Sequence, residues 1–141
     1  MISNDPFNLQ RFLDAQNPIY EQVCRELRAG EKRSHWMWFI FPQLRGLGSS
    51  PTAVAFGISA LEEARAYLQH TVLGPRIKEC TRMLLEVEKR SIDEILGYPD
   101  DLKFRSSMTL FASAGVDAQI FKDALQKYFA GEQDPLTLER L

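Results

Sequence analysis

Seven consecutive residues, Trp36-Met-Trp-Phe-Ile-Phe-Pro42, carry no polar group beyond two indole N–H donors. An amphipathic helix or a half-buried strand has no place for such a run, because each needs one side that faces water. The segment must lie where neighbours cover it all round, so the rest of the chain has to be built about it. It is far shorter than the roughly 20 residues that cross a bilayer, so the cover has to be protein. The chain's 141 residues suffice, since a chain of about 150 buries some 68–70% of its surface on folding. The run is therefore expected to form a central aromatic helix with Met37, Phe39, Ile40 and Phe41 inside.

The flanking sequence reads as more helices. Asp5-Pro6, Asn17-Pro18 and Asp134-Pro135 each set a capping side chain before a proline, whose missing N–H is harmless in a first turn. Ile19, Tyr20, Val23, Cys24 and Leu27 recur at three- and four-residue spacing until Gly30. Ser59-Ala-Leu-Glu62 and Ser91-Ile-Asp-Glu94 fit the capping box, in which the first and fourth residues satisfy each other's amides. Leu73, Ile77, Cys80, Leu84 and Val87 share one face, with Gly74-Pro75 in the first turn. Asp100 and Asp101 set negative charge at the positive end of a helix running to Ala114, and Asp117 opens another. No alternating run bounded by hairpin residues occurs. The expected architecture is all-α: a compact single-domain bundle over residues 1–141, with seven or eight helices around the aromatic one.

Charge narrows the partners. Lys+Arg 17 against Asp+Glu 19 leaves a net charge of −2, without the positive surplus that wraps nucleic acid or lies on anionic lipid. No nucleic-acid or membrane partner is therefore expected. Cys24 and Cys80 lack zinc-ligand neighbours, and so do His35 and His70, which leaves no metal or cofactor to expect. The opening MISNDPFNLQRF has no basic stretch followed by an apolar one, and a cytoplasmic location is expected. Glu62, Glu63, Glu86 and Glu88 read as solvated helix faces, and Glu31-Lys-Arg33 as an exposed loop.

Two stretches carry polar groups that packing does not require. His35 and Trp36 open the aromatic run after Ser34, and Gln43, Arg45, Gly46 and Gly48 follow it. With Trp38 they could wall a flat pocket that stacks a planar ring, or they could simply cap and close a core helix. Further on, Lys103, Arg105 and Ser106 sit in Asp101-Leu-Lys-Phe-Arg-Ser-Ser-Met-Thr-Leu-Phe111. Guanidinium, ammonium and hydroxyl donors of this kind suit a phosphate, while small hydroxyl residues in mid-helix also suit close helix packing.

The segments DPFNLQRFLDAQ, GEKRSHWMWFIFPQLRGLG, YLQHTVLGPR, YPDDLKFRSSMTLF and TLERL, in this order, resemble a bacterial family built on a domain of unknown function. Its members are small all-helical proteins, some labelled calpastatin, and the resemblance runs over essentially the whole chain. The family's usual His-Pro is His70-Thr71 here, which removes a first-turn proline. The resemblance implies a compact all-α fold and no particular activity. A looser likeness of style to the NAD- and ADP-ribose-associated NADAR proteins aligns no motif and transfers no residue roles.

Two functions follow as expectations. One is a site that binds or hydrolyses a small anionic, nucleotide- or ADP-ribose-like molecule. It would use Trp36, Trp38, Gln43, Arg45, Lys103, Arg105 and Ser106 for binding, and His35 as the proton-transfer group. The other is a helical protein–protein adaptor whose aromatic run is only core.

Overall fold

The computed structural model describes residues 4–115 and 117–141. Among them ten helices follow one another: α1 (Gln10–Gln16), α2 (Tyr20–Ala29), α3 (Met37–Ile40), α4 (Pro51–Phe56), α5 (Leu61–Gln69), α6 (Leu73–Glu86), α7 (Ile92–Leu96), α8 (Asp100–Ser113), α9 (Gln119–Phe129) and α10 (Pro135–Arg140). The β-type pairing among these residues is a single parallel bridge, Leu44 to Ile58. Among the described residues no helix is long and apolar enough to cross a membrane. The all-α class holds, with more helices than the seven or eight expected. The unforeseen α4 starts with the same device as its neighbours, Ser50 accepting from the Ala53 amide at 3.1 Å ahead of Pro51.

The aromatic run is not the central helix. Only Met37–Ile40 is helical, a single turn, because Pro42 drives Phe41 out of the helical region to φ −123°, ψ 74°. Trp36, Met37, Ile40 and Phe41 are buried, whereas Trp38 and Phe39 are half-buried. Phe39 leans on Phe56 of α4, with ring centroids 5.4 Å apart. The centre belongs to α8, which packs against α3, α5, α7, α9 and α10 and buries every residue from Ser106 to Ala112. Three of its four hydroxyls make that burial tolerable, while the buried Ser107 hydroxyl has no partner among the described residues. Ser106, Thr109 and Ser113 donate to carbonyls four residues back, at 3.2, 2.8 and 2.8 Å, and their small side chains let neighbouring backbones approach.

Two carbonyl- and carboxylate-bound cations fix the periphery. Arg11 uses all five of its N–H donors: Phe7 O, Asn8 O, Ala55 O, Gly57 O and the carboxylate of Glu63 accept at 2.7–3.1 Å. Glu63 is thus not a solvated face. It is 2% exposed, and it also accepts from the Ser59 amide and hydroxyl, so the cap before α5 runs through Glu63 and not Glu62. Lys32, expected in an exposed loop, is likewise drawn in by Asp100 at 2.9 Å. At the α5–α6 corner a Cβ on Gly74 would stand 2.2 Å from Leu68 O, so only glycine lets the two helices meet there.

Candidate functional site

Trp36 and Trp38 leave α3 and its N-terminal edge in different directions, and the candidate residues divide between them. Trp36 is 1% exposed, and its indole N–H donates to Glu26 Oε1 at 3.0 Å. Glu26 is a carboxylate on the apolar stripe of α2, beside Val23 and Leu27, and it is nearly buried. The Arg33 and Ser34 amides, the Ser34 hydroxyl and the Gln22 amide group also donate to it, at 2.7, 3.0, 2.7 and 3.0 Å. Burial alone would raise its pKa. The hydrogen bonds from Arg33, Ser34, Trp36 and Gln22 outweigh burial and hold the carboxyl down to about 2. Outside this knot, exposed His35 edges a hollow of about 280 Å³ walled by Pro18, Ile19, Trp36 and Phe39, with Gln22 and Ser34 as its polar rim.

On the other side, Trp38, Gln43 and Lys103 converge on a tight cleft with Met37, Phe41 and Phe56. The Lys103 ammonium lies 5.1 Å from the centre of the Trp38 ring and 3.5 Å from Asp100 Oδ1. The second Asp100 oxygen holds Lys32 at 2.9 Å, and Lys32 in turn lies 5.1 Å from the Trp36 ring centre. Two ammonium groups therefore share one carboxylate. Among the described residues no protein group bonds the Trp38 indole N–H or the Gln43 carboxamide.

The cleft holds only about 10 Å³ of free space, roughly one water. What closes it is α4, which places Ala53 and Phe56 in its wall yet buries none of its own residues. The approach is close: a Cβ on Gly48 would stand 2.8 Å from the Ala53 Cβ.

The remaining candidates have other partners. Arg45 is exposed and donates to Gly57 O at 3.3 Å, at the C-terminal end of α4. Arg105 donates to the carbonyls of Glu132 and Gln133 at 3.1 and 2.8 Å, and Ser106 reaches Asp134 Oδ2 at 3.0 Å. Those two side chains hold the α9–α10 connection against α8. The cleft thus gathers Trp38, Gln43 and Lys103, the hollow gathers His35 and Trp36, and no residue lines both.

Sequence reasoning did not single out Glu26, Lys32, Asp100 or Phe56 for the site. Two of them left a signal. Glu26 interrupts an apolar stripe, and Asp100 precedes Lys103 by one helical turn. Among the described residues no group of three or more His, Cys, Asp or Glu is placed to hold a metal ion.

A family model described as a protein of unknown function, DUF1810, matches residues 6–141. No curated protein matches. Among solved structures, the crystal structure of the conserved hypothetical protein Rv1873 from Mycobacterium tuberculosis is similar. The two chains are 61% identical, the match covers 97% of this chain and 98% of that one, and the TM-score is 0.96.

Proposed function

This chain belongs to the DUF1810 family, and we propose that it binds a small, anionic, ring-bearing metabolite in the Trp38–Gln43–Lys103 cleft. One observation carries the reading. Lys103, one of two ammonium groups on a single carboxylate, lines one cleft with Trp38 and Gln43, whose indole N–H and carboxamide no described protein group bonds. A flat anion of the nucleotide or ADP-ribose kind answers each of them, with its charge on Lys103, its ring on the Trp38 face and an edge acceptor on the indole N–H. Entry requires α4 to move outward, since the closed cleft has room for one water. Arg45, at the end of α4, then becomes a second cation within reach of the ligand's outer part. Hydrolysis would require His35, which edges the separate hollow, so the reading is binding.

A thermal-shift screen with nucleotides, ADP-ribose and phosphosugars tests it. A ligand at 100 times its Kd adds about 2.7 kcal/mol of stability. Lys103→Met is expected to abolish that shift while His35→Ala leaves it intact. The reverse pattern, or no shift with any anionic ring compound, overturns the reading. The adaptor function has one observation in its favour: Leu136, Leu138 and Leu141 of the C-terminal segment are 57%, 43% and 42% exposed. Association in light scattering that Leu136→Asp abolishes would put that function first.

A further inference from the structure

The packing of α2 on α6 brings the chain's two cysteines into one small polar cluster. Cys24 Sγ lies 3.9 Å from Glu79 Oε1, the Tyr20 hydroxyl donates to the same oxygen at 2.6 Å, and Cys80 Sγ lies 3.7 Å from that hydroxyl. Both thiols thus join one Tyr20–Glu79 pair, Cys24 at the carboxylate and Cys80 at the hydroxyl. Cys80 is 1% exposed and Cys24 6%, so a reagent reaches the pair from the Cys24 side. This is not the packing of two inert apolar thiols.

The cluster makes the sulfurs unequal. The neighbouring Cys80 draws the Cys24 thiol down. Burial and the Glu79 carboxylate oppose the shift, while the Tyr20 hydroxyl and the Arg28 guanidinium assist it. The neighbouring Cys24 and burial push Cys80 up. Cys24 is therefore the more acidic of the two sulfurs and Cys80 the one that keeps its proton, as in a reactive and a resolving thiol held in one cluster.

We propose that Cys24 and Cys80 form a reversible dithiol–disulfide pair, in which Cys24 is oxidised first by a hydroperoxide and Cys80 closes the bond. The Cys24 thiolate attacks a peroxide oxygen, the O–O bond breaks, and the departing hydroxide takes up the thiol proton as water. Cys24 is then a sulfenic acid. The Cys80 sulfur attacks it, the S–O bond breaks, and the leaving hydroxide takes the Cys80 proton as a second water. Two thiols give up two electrons to one peroxide, and α2 becomes covalently tied to α6.

The test uses the full chain, folded, with hydrogen peroxide in native buffer, read by intact mass and thiol titration. The expected product has lost two hydrogens and both thiols together, remains monomeric and returns to the dithiol with dithiothreitol. In Cys80→Ser the oxidation should stop at a sulfenic acid that dimedone traps on Cys24. In Cys24→Ser the remaining thiol should react about tenfold more slowly or less. Thiols that stay unmodified in the folded chain, oxygen adducts without loss of two hydrogens, or disulfide-linked dimers would each overturn the proposal. The wild-type mass decides the matter if either variant fails to fold.

Discussion

Trp36 and Trp38 stand two positions apart, each with a lysine over its ring, and the protein treats them in opposite ways. Trp36 is sealed: its N–H is committed to Glu26, its ring touches Phe41 at 6.3 Å between centroids, and its lysine is sunk beside Asp100. Trp38 is left open, with its N–H uncommitted among the described residues and its lysine only loosely paired. An indole whose every group is satisfied by the protein serves the fold. One whose groups are presented unsatisfied at a cleft wall can serve something that arrives from outside.

The widest gap between the two should appear on truncation. Trp36→Ala removes a fully buried ring and strips a donor from Glu26, and it is expected to cost about 3–5 kcal/mol in urea unfolding. Trp38→Ala should cost about 1 kcal/mol, because part of the ring already meets water. Equal losses would erase the distinction. Next comes the carboxylate behind Trp36. Glu26 ionises at about 2 in the fold against an ordinary 4.5, so its contribution is complete above pH 4.5 and is lost as the pH falls through 2. Glu26→Gln should remove about 3 kcal/mol at neutral pH and flatten that acid limb of the stability curve. A variant with an unchanged acid limb would show that the Trp36 side is held by packing alone. The smallest effect belongs to the Trp38 side. Gly48→Ala forces a Cβ against Ala53 and should lift α4 at a cost of about 1 kcal/mol. Acrylamide quenching of the Trp38 emission should rise, and quenching as in wild type would mean that α4 is not what covers the cleft.

Legibility in the sequence followed the range of each interaction. Where a cap formed it was readable, because donor and acceptor lie within one turn, but Asn17 and Asp117 cap neither α2 nor α9. The Ser91–Glu94 box forms in full, and Asp134 caps α10 through the Thr137 amide at 3.1 Å. The centrality of α8 was hidden by its serines and threonines, because the hydroxyls of Ser106, Thr109 and Ser113 lose their polarity to backbone carbonyls only once the helix exists. Lys32 and Glu63 looked solvated because the partners that draw them in, Asp100 and Arg11, are distant in sequence. The candidate site shows the same division. Residue types marked Trp38, Gln43 and Lys103 as polar groups beside an aromatic wall. Nothing local marked Arg105 and Ser106 for the α9–α10 connection, nor separated His35 from the cleft.

Arg11 sets how α4 can move. Its guanidinium grips the carbonyls of Ala55 and Gly57, and Arg45 adds a bond to the latter, so the C-terminal end of α4 is moored to α1 and α5. The opposite end continues into Gly46-Leu47-Gly48, where among the described residues no guanidinium bonds a backbone carbonyl, although Arg140 lies against Gly46. In the proposed entry of a ligand, the helix acts as a door with its hinge at residue 57 and its free edge at residue 50. Opening therefore lets solvent in from the Ser50 side first, and deuterium should replace the amide protons of Ala53 and Val54 sooner than that of Ile58, which stays bonded to Gln43 O at 3.0 Å.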